Sequence, residues 1–431
     1  MQLDAYGLEI STSSPAARDL YVDGIDRQLA GVGGSLDALV SATEADPAFA
    51  LPHAAIARIH QTNARPGEAL AAIEAAEALA PDATERERSH IAVQGLLTRG
   101  QAVDGFGAIG RHLETWPTDA FVLAPASSVF GLIGFSGRRG REPEQLEYLD
   151  RLAPMYGDDW WFRSFHAFAH VETGQWEKGR DMVMEALEVK PRSAHSAHVL
   201  AHALYEGGRN EEALDFLGNW LPDLDHDATM YCHTWWHYAL LLMGTGQAAE
   251  ALATYELHCA PGRSPAPPLN VMTDGASFLW RCELAGIETD PAAWEKLMGF
   301  YEATFAKPGV FLDAHAGLPY IATGRTDALA TYIDTLRGLV DAGRLPDGDM
   351  GLVLTQAFAA FAQSRWAQVI DLLEPRIDEV VRIGGSRAQR DLAVNTLLAA
   401  YVRAGRHSDA TDYIQSSTDR MPSRPVAGLA A

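Results

Sequence analysis

The sequence predicts an all-α protein, a solenoid of stacked antiparallel helix pairs curled around a central groove. Three observations carry that expectation. Apolar residues recur at helical spacing in nearly every segment, the breaks fall at Gly, Pro and Asn rather than at strand-like alternation, and one loop-and-helix signature repeats along the chain. In the signature a Gly is followed five residues later by a small residue that opens the apolar stripe of the next helix. It reads GQWEKG from Gly174, GRNEEA from Gly208 and GQAAEA from Gly246, at intervals of 34 and 38 residues. Tetratricopeptide repeats, in which two helices pack with a small residue at their crossing, have a period of about 34 residues.

The elements follow in order. Related pieces stand at GQAVDG from Gly100, GRTDALA from Gly324 and GRHSDA from Gly405, so helix pairs are expected over residues 1–415 as one repeat domain. The Gly- and Arg-rich GLIGFSGRRGREPEQ, residues 131–145, interrupts the pattern and reads as a connection or flap. Residues 416–431 lack periodicity and read as a flexible C-terminal tail.

Composition bounds the function. With 431 residues and 47% hydrophobic content the chain can bury a large core. Its 34 Lys and Arg against 57 Asp and Glu give a net charge of -23, a field that repels nucleic acid and anionic membranes, so neither is expected as a partner and a cationic or neutral ligand is. The start, MQLDAYGLEISTSS, lacks the basic flank and apolar run of a signal peptide, and a cytoplasmic protein is expected. Cys232, Cys259 and Cys282 are too few and scattered for a disulfide framework. Cys232 beside His233 suggests a nucleophile pair, but sequence neighbours point to different sides of a helix, which favours a buried thiol. Walker, GxSxG and dinucleotide fingerprints are missing from the required contexts, so no nucleotide cofactor is expected.

The phase of the repeat singles out a set of polar residues. With the residue thirteen before each loop glycine as zero, His195 lies at roughly 0°, His198 near -60°, His202 near -20° and Glu206 near 20°. One repeat later His233 falls at roughly 0°, Trp236 near -60° and His237 near 40°. Trp161 and Glu172 of the preceding repeat share this face, as do His90 and His315, whereas His166 and His170 come out on the opposite side. HVLAH and HTWWH each place two imidazoles one turn apart, a spacing that can chelate a divalent ion such as zinc, although neither holds the intervening Glu of the metalloprotease motif. The opposing reading is a metal-free cluster in which a neutral imidazole takes a proton and a carboxylate orients it.

Six segments, in order, carry a family resemblance: RERSHIAVQGLLTRG ending at Gly100, HVLAHALYEGGR, HTWWHYALLLMGTG, DGASFLWRCELAG, FLDAHAGLPYIATGR and GGSRAQRDLAV. Together they resemble the tetratricopeptide-repeat protein 38 family over roughly Asp46 to Asp412. The resemblance implies a tetratricopeptide-like solenoid whose first helices line the concave surface, with His90, His198, His202, His233, His237, Asp274, Asp313 and His315 at the family's characteristic polar positions. Where that family carries a carboxylate after the second histidine of the first motif, this chain has Tyr205 and then Glu206.

Two function classes follow. The enzyme reading assigns His198, His202, His233 and His237 as metal ligands or acid-base groups, with Glu172 or Glu206 as base, in hydrolysis of an amide or related carbonyl bond. Trp161, His195, Tyr205, Trp236, His90, Asp274, Asp313 and His315 then bind substrate. The alternative is a tetratricopeptide-type scaffold that holds a protein or peptide in its concave groove without catalysis. Homo-oligomerisation through exposed end helices is left open by the sequence.

Overall fold

The computed structural model describes residues 2–416, 420 and 422–429. Helices dominate, and the strands among the described residues are the two-residue pair Gln2–Leu3 and Glu9–Ile10, joined antiparallel. Consecutive helices pack as antiparallel pairs, for example Ala50–Thr62 with Pro66–Leu79, Trp160–Glu172 with Trp176–Val189, and Ala194–Glu206 with Asn210–Trp220.

The glycine signature marks one turn used repeatedly. Gly100, Gly174, Gly208, Gly246, Gly324 and Gly405 all take positive φ, from 67° to 85°. The next amide then reaches back over the turn, as in Gln175 N to His170 O at 2.9 Å and Arg209 N to Leu204 O at 2.8 Å. This is the Schellman stop, which satisfies the last helical carbonyls and needs a left-handed residue. Ala64 and Ser364 hold the same conformation without glycine, at φ 55° and 57°, with Arg65 N to His60 O and Arg365 N to Ala360 O both at 2.9 Å. Five residues on, small side chains sit at the crossing. A Cβ on Gly179 would lie 2.4 Å from Val171 Cγ2 and 2.7 Å from Ala167 O, and Ala213, Ala251 and Ala410 are buried.

The stack curls tightly enough for its ends to meet its middle. Near the N-terminus, Gly34 N donates to Asp227 Oδ2 at 3.1 Å and Lys190 pairs with Asp26. From the other end the helix Arg387–Arg403 packs against Pro268–Ala285 and Ala194–Glu206, with Arg281 donating to Ala388 O at 2.7 Å and Trp280 Nε1 to Thr396 Oγ1 at 3.0 Å. Apolar residues from both ends and the middle therefore share continuous cores.

Residues 124–140 are turns that lead into the helix Arg141–Tyr156, so the segment expected as a connection or flap is a fixed crossing. A Cβ on Gly137 would lie 1.9 Å from Pro346 O, and the buried Arg141 donates to Val381 O at 2.8 Å. The expected tail lies partly outside the described residues. Its described part makes specific contacts: Arg420 donates to Asp391 and Glu206 at 2.8 and 2.6 Å, and Ala427 N bonds Leu284 O at 2.9 Å. Among the described residues no helix is long and apolar enough to cross a membrane.

Candidate functional site

The curl forms a cavity of about 520 Å³ that opens to solvent. Phe121, Phe130, Phe135, Trp161, Phe165 and Phe168 form most of its aromatic wall, and His195, His198, His202 and His233 face it. Two helices supply the histidine floor. Ala194–Glu206 is started by Ser193, whose hydroxyl accepts from Ser196 N at 3.1 Å, and sets His198 and His202 one turn apart. Tyr231–Gly244 does the same for His233 and His237.

The four imidazoles converge. One ring nitrogen from each of His198, His202, His233 and His237 lies within 4.8 Å of the other three, and all four residues are buried. His198 Nε2 and His202 Nε2 are 2.9 Å apart, a hydrogen bond in which one donates and the other accepts. Two nitrogens on one tetrahedral zinc ion lie about 3.3 Å apart, so this pair would part by about 0.4 Å on ligation. His233 Nδ1 stands 2.8 Å from Asp274 Oδ2, which leaves its Nε2 for the cluster. His202 Nδ1 and His237 Nε2 are buried without hydrogen-bond partners among the described residues.

Electrostatics favours neutral rings. Burial, then the neighbouring imidazoles, hold His198, His202 and His237 well below the usual histidine range, so lone pairs are available at neutral pH. Burial also brings His195 down to about 4. Glu172 is pushed up to about 7, mainly by burial and then by Glu142 and Glu206, against the opposing pull of Arg390. Its Oε2 accepts from Arg387 N at 2.8 Å, while Oε1 stands 3.9 Å from His202 Nδ1. Glu172 is therefore placed behind His202, outside the cavity wall.

Several expected site residues are placed elsewhere. Glu206 is held by Arg420 at 2.6 Å, and Tyr205 donates to Asp391 Oδ2 at 2.9 Å, both outside the cavity wall. His90 belongs to a separate polar knot, with its Nδ1 3.0 Å from Asp119 Oδ2, which Arg86 and His112 share at 2.9 and 3.2 Å. It reaches the cavity wall through Phe121, on which its ring stacks at 5.9 Å. Trp236 is fully buried behind the floor, stacked on His233 at 5.3 Å with the Arg281 guanidinium 5.6 Å from its ring. His315 Nδ1 turns to Phe311 O at 2.8 Å, and Asp313 Oδ1 accepts from Gly309 N at 2.7 Å, so this pair supports the Gly309–Leu312 wall from behind. Asp274 likewise acts on the cluster through His233. The thiols of Cys232 and Cys259 are buried, each directed at the other's backbone carbonyl.

The sequence reading missed the phenylalanine wall and a polar group from the N-terminal helices, Gln28, Arg58, Gln61 and Thr62. A signal for Arg58 existed. If Ala64 stands for the loop glycine, Arg58 falls at roughly -20° and Thr62 near 20°, on the same face as the histidines. The alanine in place of glycine hid that repeat. The other missed feature is what the cavity lacks: among the described residues no Asp or Glu lines it.

These observations establish an all-α helical-repeat chain that closes on an aromatic cavity, with His198, His202 and His233 of a four-histidine cluster in its floor. No family model matches the chain. Among solved structures, a human IFIT1 dimer with m7Gppp-AAAA is similar over 95% of both chains, at 11% identity and a TM-score of 0.41, a level that carries no conclusion about what this chain binds.

Proposed function

We propose that the protein is a small-molecule-binding helical-repeat protein whose cavity floor holds a divalent metal ion, with hydrolysis at an amide or related carbonyl as its reaction. The single observation that supports this is the convergence of four buried imidazoles on one point beside an aromatic cavity. The donor set of four imidazoles fits a borderline ion such as zinc.

A divalent ion supplies Lewis-acid polarisation of a carbonyl oxygen and acidifies a bound water. A zinc ion on four protein ligands is closed, whereas a hydrolytic zinc keeps three and an open position. His198, His202 and His233 face the cavity and His237 lies behind them, so three cavity-facing rings are available with one ring to spare. Asp274 orients His233, and the phenylalanine wall limits water around the floor.

A second reading is a binding scaffold without catalysis. The carboxylates assigned as bases favour it, because Glu172 stands behind His202, Glu206 is ion-paired, and neither lines the cavity. Turnover of aryl amide and ester libraries by metal-loaded wild type, compared with His202→Ala/His237→Ala, separates the two. Turnover lost in the variant with its fold intact supports hydrolysis. Ligand binding without turnover supports the scaffold.

A further inference from the structure

Arg58 lines the cavity on the helix Ala50–Thr62. One of its five N–H donors is used inside the protein, Nη1 to Gln61 Oε1 at 2.7 Å. Among the described residues no ion pair or further side-chain hydrogen bond engages the rest, and Nε and Nη2 reach accessible space. Other arginines inside the fold have partners on the protein. Arg86 faces Asp119 and Asp4 at 2.9 Å, Arg420 faces Asp391 at 2.8 Å, and Arg281 donates to the Ala388 carbonyl at 2.7 Å. A half-buried guanidinium without an anion is partly desolvated at a cost, and a cavity wall free of Asp and Glu among the described residues offers it no partner.

We infer that the cavity takes a molecule with an apolar or aromatic body and one carboxylate, the carboxylate pairing with Arg58 and the body lying along the phenylalanine wall. This deepens the proposed small-molecule site and rests on that cavity being a ligand site. The bond to Gln61 orients the guanidinium, leaving donors for a two-point contact with a planar carboxylate. Burial pulls Arg58 down to about 10, so it remains charged at neutral pH. The ligand class is thus opposite in sign to the one the net charge of -23 suggests. Whole-chain charge describes the far field, and a desolvated pocket is governed by the groups that line it. Phe121, Phe165 and Phe168 provide surface for an aryl or alkyl chain, and the histidine floor belongs to the same cavity.

The test is calorimetric titration of the full chain with 4-phenylbutanoate and its near-isosteric amide, 4-phenylbutanamide, using wild type, Arg58→Met and Arg58→Gln. Zinc content and unfolding midpoint are measured on each sample. Wild type is expected to prefer the acid by about ten- to a hundredfold, as for a charge-assisted contact out of water. Both variants should lose that preference while keeping wild-type affinity for the amide and wild-type zinc content. Equal affinity for the two probes in wild type, an acid preference that survives both substitutions, or no binding of either probe overturns the assignment. An acid preference in protein that neither holds nor takes up zinc sustains Arg58 as the carboxylate site and defeats the metal reading.

Discussion

Replacing Asp274 with Asn keeps the side chain's shape and removes the charge that faces His233. Asp274 Oδ2 lies 2.8 Å from His233 Nδ1, and the residues are 1% and 4% exposed, so water cannot substitute for the contact. As a carboxylate it holds the proton on Nδ1 and raises the basicity of Nε2, the nitrogen left for the cluster. An amide oxygen can still accept the Nδ1 proton but pushes less charge into the ring. Loss of such an outer partner lowers metal affinity by about 10- to 100-fold, or about 1.4–2.7 kcal/mol. Competition of metal-stripped protein against a chromophoric chelator, with zinc as titrant, measures this directly. The unfolding free energy of the metal-stripped form should change by only about 1 kcal/mol, because a neutral hydrogen bond replaces a stronger one. Zinc affinities within twofold of each other for wild type and Asp274→Asn would refute the reasoning, as would wild type without a tight site.

Four further predictions concern stability. Gly179→Val should cost about 1–3 kcal/mol or more in urea unfolding, since a Cβ there would meet Val171 Cγ2 at 2.4 Å; Gly110→Ala, with open space around it in the helix Ala102–Thr115, should gain about 0.5–1 kcal/mol. Burial lowers His315 to about 4, so it stays neutral in the fold while the unfolded chain takes a proton below about pH 6.5; as pH drops from there to about 4, His315 alone contributes about 3 kcal/mol to a loss of stability that the other buried histidines share, and His315→Gln should make that limb shallower by its share. A wild-type limb no steeper than the variant's would contradict the assignment. Arg420→Met leaves Asp391 and Glu206 without the partner they hold at 2.8 and 2.6 Å and should cost about 3–5 kcal/mol, partly recovered when Asp391→Asn and Glu206→Gln are added.

The repeat was legible because its turn has a strict backbone requirement. A left-handed stop favours glycine, and the close crossing beyond it favours Gly or Ala, so six turns announce themselves and two, at Ala64 and Ser364, do not. The same regularity made His198, His202, His233 and His237 readable as one set, since neighbouring repeats share a phase. Phase gives direction and not distance from the axis. His90 and His315 point to the shared side but meet Asp119 and the Phe311 carbonyl, and Trp236 at its margin packs behind the floor. The cavity roof was illegible for a different reason. Phe130 and Phe135 come from turns between helices, and the tertiary contacts at Pro346 and Val381 that fix this crossing leave no local pattern.

Elemental analysis of the protein, purified without chelator or metal-affinity steps, tests the four-histidine centre most directly, with His202→Ala/His237→Ala as the control. About one equivalent of zinc or another transition metal in wild type, lost in a folded variant, is the predicted result. Wild type without metal that also fails to take up added zinc, or a variant that keeps its full equivalent, would contradict it.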